Sequence, residues 1–243
     1  MNSLEYTFDR GGSEHKLHMV FMEGTGGRPF VFGTEKNTLE ININDFWMAR
    51  FTVTKALWEF VTGTTANHSR FTGEHKPIEQ VSWFDITGKE GFLEKINHSV
   101  IMEEIRKQLP GKTVLFRLPS ETEWEYAARG GKSWQDNFEF SGSNNIDEVA
   151  WYKNNSGKET HAVGLKAPNQ AGLYDMNGNV WEWCMDYYTL ETNRIPKDGS
   201  PFLAGGTDRV LRGDAITMAL FIVPYQNDMK LFRMLLMSVS GSG

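Results

Sequence analysis

Residues Gly172 to Trp183, Gly-Leu-Tyr-Asp-Met-Asn-Gly-Asn-Val-Trp-Glu-Trp, constrain the fold more than any other stretch. Asp175, Asn177, Asn179 and Glu182 place four oxygen-bearing side chains in one short loop. Gly178 permits backbone conformations closed to other residues, so carbonyl groups can turn inward beside them. Carboxylate, amide and carbonyl oxygens suit a hard cation such as calcium. Trp181 and Trp183 flank Glu182, and a strand leaving the loop would set both rings on one face. The spacing is not that of an EF-hand, because Gly178 follows Asp175 too soon and no glutamate stands at the twelfth position. The same residue types also describe an Asp-Asn-Gly turn leading into a core strand. On residue types alone both readings stay open.

Composition narrows the class of fold. Eight tryptophans and an aromatic content of 13% point to a core built on rings. Twenty-four glycines with a mean hydropathy of -0.45 point to many turns. The expectation is a loop-rich α+β domain rather than a helical bundle. At 243 residues the chain can bury a substantial core, and no repeat or low-complexity linker divides it. Its net charge of -6 comes without a run of Lys and Arg, so the electrostatic footprint of a nucleic-acid binder is missing. No apolar run approaches the length that spans a bilayer. The first residues lack the basic-then-apolar pattern of a secretory signal. The compartment stays open: cytoplasmic as the chain stands, cell surface or secreted where a signal or lipid anchor precedes it. Cys184 is the one cysteine, so no internal disulfide can form, and its place among aromatics suits a small buried hydrophobe.

Periodicity and caps place the elements. Met1 to Lys16 reads as a polar arm or an edge strand, with a single domain from Leu17 to Gly243. Leu17–Met22, Phe30–Gly33 and Thr38–Phe51 read as strands, the last alternating at Leu39, Ile41 and Ile43. Thr54 is placed to cap a helix that stops at Gly63. Ser82 with Asp85, and Ser120 with Glu123, have the spacing of capping boxes. The helix after Ser82 should run to Ile96, weakened at Gly88 and Gly91; the one after Ser120 should end at Gly130-Gly131. Between them lie a helix over Val100–Leu109 and a strand over Lys112–Leu118. Lys132 to Gln170 reads as loop with one short strand near Val149–Tyr152, and Asp186 to Asp208 as a second loop. Arg209–Leu211 and Leu231–Val239 read as the last strands. Loops of this length inside a compact domain are usually functional or ordered by ions.

Catalytic motifs are scarce. None of the six histidines pairs at a ligand spacing on a predicted helix, and His15 and His18 read as a solvated pair. No Gly-rich phosphate loop follows a strand, and no nucleophile elbow appears.

The stretch Gly172–Trp183, taken with Arg117-Leu118-Pro119-Ser120-Glu121-Thr122-Glu123-Trp124-Glu125-Tyr126-Ala127-Ala128-Arg129-Gly130-Gly131 and Arg209-Val210-Leu211-Arg212-Gly213, resembles the signature of the formylglycine-generating enzyme family, the sulfatase-modifying factors. Phe46 to Gly63 and Pro77 to Asp85 are similar to further family segments in the same order. The resemblance implies a C-type-lectin-like fold of that family's type. It also implies a calcium site built from the side chains of Asp175 and Glu182 and the carbonyls of Gly178 and Val180, and a second one at Asn145-Ile146. The family's enzymes hold copper and substrate through a pair of C-terminal cysteines. Nothing after Cys184 is a cysteine, and a lone thiol cannot supply a two-thiolate Cu(I) site, so no copper is expected.

After Gly213 the sequence departs from the family pattern and returns only at Leu231-Phe232-Arg233. Variable proteins of diversity-generating retroelements share the fold and vary a C-terminal segment in this place. That resemblance implies a non-enzymatic receptor whose variable segment, about residues 214–231, recognises a protein or other surface ligand. By position and side-chain type the contacts would be Asp214, Ile216, Thr217, Phe221, Val223, Tyr225, Asn227 and Asp228. The same apolar run also reads as a buried central strand. The alternative function is a metal-dependent oxidoreductase of the same family with an altered active site.

Overall fold

The computed structural model describes residues 2–33, 37–64, 69–134, 138–213 and, as backbone, 221–224 and 235–239. The chain opens with a hairpin, β1 (Ser3–Arg10) and β2 (Ser13–Met22), in register from Arg10 opposite Ser13 to Ser3 opposite Val20. Gly11 and Gly12 form its two-residue turn with φ of 64° and 83°, a conformation that residues with a Cβ rarely adopt. A short ribbon follows, β3 (Phe30–Phe32) and β4 (Leu39–Ile41), then β5 (Phe46–Ala49). Four helices come next: α1 (Lys55–Thr62), α2 (Trp83–Thr87), α3 (Phe92–Asn97) and α4 (Val100–Gln108). The remainder is β6 (Thr113–Arg117), α5 (Glu121–Ala128), α6 (Ile146–Val149), β7 (Glu182–Tyr187), β8 (Asp208–Arg212), β9 (Phe221–Pro224) and β10 (Leu235–Val239).

A five-stranded sheet runs β1-β2-β5-β10-β6 and a three-stranded sheet runs β7-β8-β9, with antiparallel pairing throughout. The last strand lies inside the larger sheet: Leu235 and Leu236 stand opposite Met48 and Trp47 on one side and Arg117 and Phe116 on the other. Strand alternation divides the core in two. Trp47, Trp183 and Leu211 face a cluster with Trp58, Phe92 and Ile105 from α1, α3 and α4. Their sequence neighbours Phe46, Met48, Cys184 and Val210 face a second cluster with Trp124 and Ala127 from α5. Side chains of one strand point alternately to opposite faces, so each strand supplies both clusters.

The local signals hold. Thr54 accepts from the N–H of Leu57 and Gly63 ends α1 in the left-handed conformation. Ser82 with Asp85 and Ser120 with Glu123 form complete capping boxes. Other readings are decided or corrected by the structure. Of the two readings open for the N-terminal stretch, Ser3–Arg10 is the edge strand β1, and Ser13 already begins β2. Thr38–Phe51 holds two strands rather than one. The helix expected over residues 82–96 is two, because both glycines are extended, Gly88 at ψ 173° closing α2 and Gly91 at ψ 173° opening α3; the tight path leaves no room for a Cβ, which would lie 2.5 Å from the Phe84 carbonyl at the first and 2.7 Å from that of Gly88 at the second. The strand expected near Val149–Tyr152 is absent: Val149 ends α6, which Asn145 caps by accepting from the Asp147 N–H, and Ala150–Tyr152 continues as irregular chain. His15 is also not solvated: it is buried against Phe8 and His75, whereas His18 stays half-exposed beside Glu5.

Candidate functional site

The signature loop is tied down by its amides. The Asn177 side chain accepts from the Ser141 N–H at 2.9 Å and donates to the Ser141 carbonyl at 3.1 Å. Asn179 does the same with His161, at 2.9 and 3.0 Å. Each amide therefore replaces a missing strand partner for an irregular segment, satisfying groups that burial would otherwise penalise. Asp175 and Asn179 sit at φ of 58° and 64°, where Asp and Asn are the commonest residues after glycine. Asp175 is 1% exposed and its carboxylate accepts from the Gly164 N–H at 2.9 Å. The Gly178 carbonyl accepts from the Val180 N–H at 2.7 Å.

Glu182 opens β7 fully buried and accepts from the indole N–H of Trp124 at 2.7 Å. Across the ladder it stands opposite Arg212. Gly213 follows at φ 107°, and a Cβ there would come within 2.9 Å of the Val180 carbonyl and 3.7 Å of the Glu182 side chain. Val180, Glu182 and the end of the Arg209–Gly213 motif thus meet at one place.

Beneath this point lies a network of charges on α5, β7 and β8. Arg212, 5% exposed, binds Glu125 at 2.5 Å and lies 3.5 Å from Glu121; Glu125 also binds Arg129 at 2.5 Å. Glu121, Glu125 and Arg129 lie on one face of α5 by their four-residue spacing. Asp186 accepts from the N–H groups of Glu121 at 2.8 Å and Phe202 at 2.9 Å. Burial raises the Glu121 carboxyl to about 7, and burial likewise raises Asp186 to about 7. Burial, with these two carboxylates nearby, pushes the Cys184 thiol well above its ordinary value. A thiol so placed is neither exposed nor poised to ionise.

Residues 12–234 match the family model described as the sulfatase-modifying factor enzyme 1-like domain. The chain belongs to that family. It is 33% identical over 224 residues to the chaperone protein LppX of Paenibacillus barcinonensis, covering 74% of this chain and 77% of the relative. It is 38% identical over 240 residues to the formylglycine-generating enzyme of Thermomonospora curvata, covering 86% and 70%. Among solved structures it is similar to Treponema denticola variable protein 1, with a TM-score of 0.73, 24% identity and coverage of 96% and 98%. The fold is therefore the loop-rich α+β fold that the motifs implied. The single cysteine fits no catalytic cysteine pair.

Of the residues singled out by sequence, Asp175 and Glu182 are buried carboxylates of one loop, with the Gly178 and Val180 carbonyls between them in the chain. Asn145 is engaged as the cap of α6, and its amide also donates to Glu148 at 3.2 Å. Phe221 and Val223 lie on β9, opposite Leu211 and Arg209 of β8. Asp214, Ile216, Thr217, Tyr225, Asn227 and Asp228 lie outside the described residues. Among the described residues no helix is long and apolar enough to cross a membrane. The Arg212 network escaped the sequence reading; the Glu121, Glu125, Arg129 spacing on a capped helix was its one visible trace.

Proposed function

We propose that the chain is a non-enzymatic receptor of its family, which holds a variable C-terminal segment on a rigid scaffold for recognition of a protein or other surface ligand. The observation that carries this reading is the state of Cys184: it is the sole thiol, wholly buried, with burial opposing its ionisation. Soft-metal chemistry of the kind the family's enzymes perform needs exposed thiolate. The likeness in fold to a protein titled a variable protein supports the reading, as does β9, which begins the segment's pairing to β8. Sites on such scaffolds tolerate change because their side chains do not enter the core. The decisive test is the DNA around the gene. A near-copy of the codons for residues 214–231 beside a reverse transcriptase gene is expected, and the lack of both would end the proposal.

Calcium belongs to the same reading as a structural ion. The donor set fits: it is all oxygen, two of its members are buried carboxylates, and the Val180 carbonyl and Glu182 come together beside Gly213. Asp175 and Glu182 would hold the ion with the Gly178 and Val180 carbonyls, and the ion would supply positive charge to a loop rich in inward oxygens.

A second reading, a metal-dependent oxidoreductase with an altered active site, draws on the identity to the Thermomonospora enzyme. Copper or iron retained in stoichiometric amount through purification would favour it.

A further inference from the structure

A cleft of about 260 Å³ opens between α1, α2 and α3. Trp58, Val81, Phe84 and Phe92 form its apolar side, and Lys89 and Lys95 line it as well. The rings of Trp58 and Phe92 stack at 4.9 Å with 13° between their planes. Both are buried, whereas Phe84 is 56% exposed. The short helix α2 explains that exposure: Trp83 and Ile86 take its core side, which leaves Phe84 on the outer one. A single exposed ring is ordinary. A ring that walls a cleft with an aromatic floor adds apolar surface for a guest.

The cleft is built before any guest arrives. The turn from α2 to α3 is closed by three bonds: the Gly88 N–H to the Phe84 carbonyl at 2.8 Å, the Gly91 N–H to the Gly88 carbonyl at 2.9 Å, and the Glu90 N–H to the Glu94 carboxylate at 2.7 Å. The last of these holds Glu90 at φ 60°, a left-handed conformation that a residue with a Cβ rarely adopts. Little of this wall remains to be ordered on binding. Lys95 is half-buried on α3, and its ammonium donates to the Thr62 carbonyl at 3.4 Å. An ammonium carries three donors, so it can serve a carboxylate beside that bond. Asp85 also lines the cleft, but its carboxylate is held by the Ser82 N–H and hydroxyl, each at 2.8 Å. Glu90 is the lining acid that opposes an anion. An apolar cavity of roughly 150 Å³ suffices for benzene. The 260 Å³ here therefore admits one ring with a short acidic arm.

We propose that this cleft is a binding site for a small aromatic carboxylate, with the ring against Trp58 and Phe84 and the carboxylate on Lys95. The site goes beyond the receptor reading and does not depend on it. Its test follows the backbone amide resonances of Glu90, Gly91 and Lys95 in the isotope-labelled full chain. Sodium phenylacetate, phenylethanol or sodium acetate is added at matched ionic strength. Saturable shifts are expected at the lowest concentration with phenylacetate, at a higher one with phenylethanol, and not with acetate. Lys95→Gln should weaken phenylacetate binding about threefold, the scale of a solvent-facing ion pair, and leave phenylethanol unchanged. Phe84→Ser should weaken both ring compounds roughly fivefold, the scale of one aromatic contact. Glu90→Gln should tighten phenylacetate alone. The site is overturned by a linear response to phenylacetate, by equal affinity for phenylacetate and phenylethanol, or by a preference for the acid that survives Lys95→Gln. Saturation by acetate alone would remove the ring's part and overturn it equally. The comparison of the three compounds on the wild-type chain decides the matter even where a variant fails to fold.

Discussion

Arg212 and Arg209 stand three residues apart on β8, and the fold treats them in opposite ways. Arg212 is buried among carboxylates, bound to Glu125 and close to Glu121. Arg209 is half-buried against two rings with one carbonyl for company. The first is compensated by carboxylates within the chain, whereas the second has no carboxylate partner among the described residues and is held by ring faces instead. One strand thus carries two arginines in different surroundings three residues apart. The lesson is that a charged residue in a family motif acquires its role from its neighbours, not from its type.

The sharpest way to break this contrast is to remove the buried guanidinium. Arg212→Met should cost about 3–5 kcal/mol of stability, because Glu125 is left buried with one fewer partner. Chemical denaturation of the two proteins measures the difference; a loss below about 1 kcal/mol would show that the network is not holding α5 to β8. The equivalent Arg209→Gln change should cost less in the same assay, since it leaves no buried carboxylate of the described residues without its partner.

Removal of the proposed calcium ion comes next. A chelator should lower the melting temperature and added calcium restore it, since an ion bound only by the folded chain stabilises that chain. Glu182→Gln should largely remove the difference between the two conditions. A difference that persists unchanged in this variant would remove Glu182 from the set of ligands.

Asn177→Ala removes both bonds of one amide clamp and leaves the Ser141 N–H and carbonyl to find other partners. A loss of about 1–3 kcal/mol is expected, with faster proteolysis in the 138–170 loop than elsewhere. Uniform proteolysis would show that the clamp is not what holds this loop.

The smallest effect expected is on pH dependence. Glu121 and Asp186 titrate near 7 in the folded chain, above their ordinary values of 4.5 and 3.8. The unfolded chain therefore releases these protons at lower pH than the folded chain does. Stability from this source is full below the ordinary values, falls as pH rises toward 7 and is level above it. Thermal melts at pH 6 and pH 8 should favour pH 6, and Glu121→Gln should shrink that gap. A gap of the same size in the variant would place the titration elsewhere.

Much of the fold could be read from the chain because its signals are short. The Thr54, Ser82 and Ser120 caps, the Gly63 stop and the alternation at Leu39 and Ile41 each involve residues within a few positions of one another. Asp175 and Glu182 could likewise be named as site candidates from one contiguous stretch, and the family from several stretches in order. The error at Val149–Tyr152 arose where β propensity met no strand partner: the Tyr152 N–H is taken by the Asn155 side chain instead.

By itself the sequence determined the family, the loop-rich α+β class, the main helices and the isolation of Cys184, since these follow from local periodicity, caps and residue inventory. Only the tertiary structure decided that Asn177 and Asn179 clasp Ser141 and His161, that β10 lies between β5 and β6, and that Arg212 is paired with Glu125. Each of these joins residues far apart in the chain or packed on different elements. Burial and pairing set their energies, and neither exists until the core has closed around them.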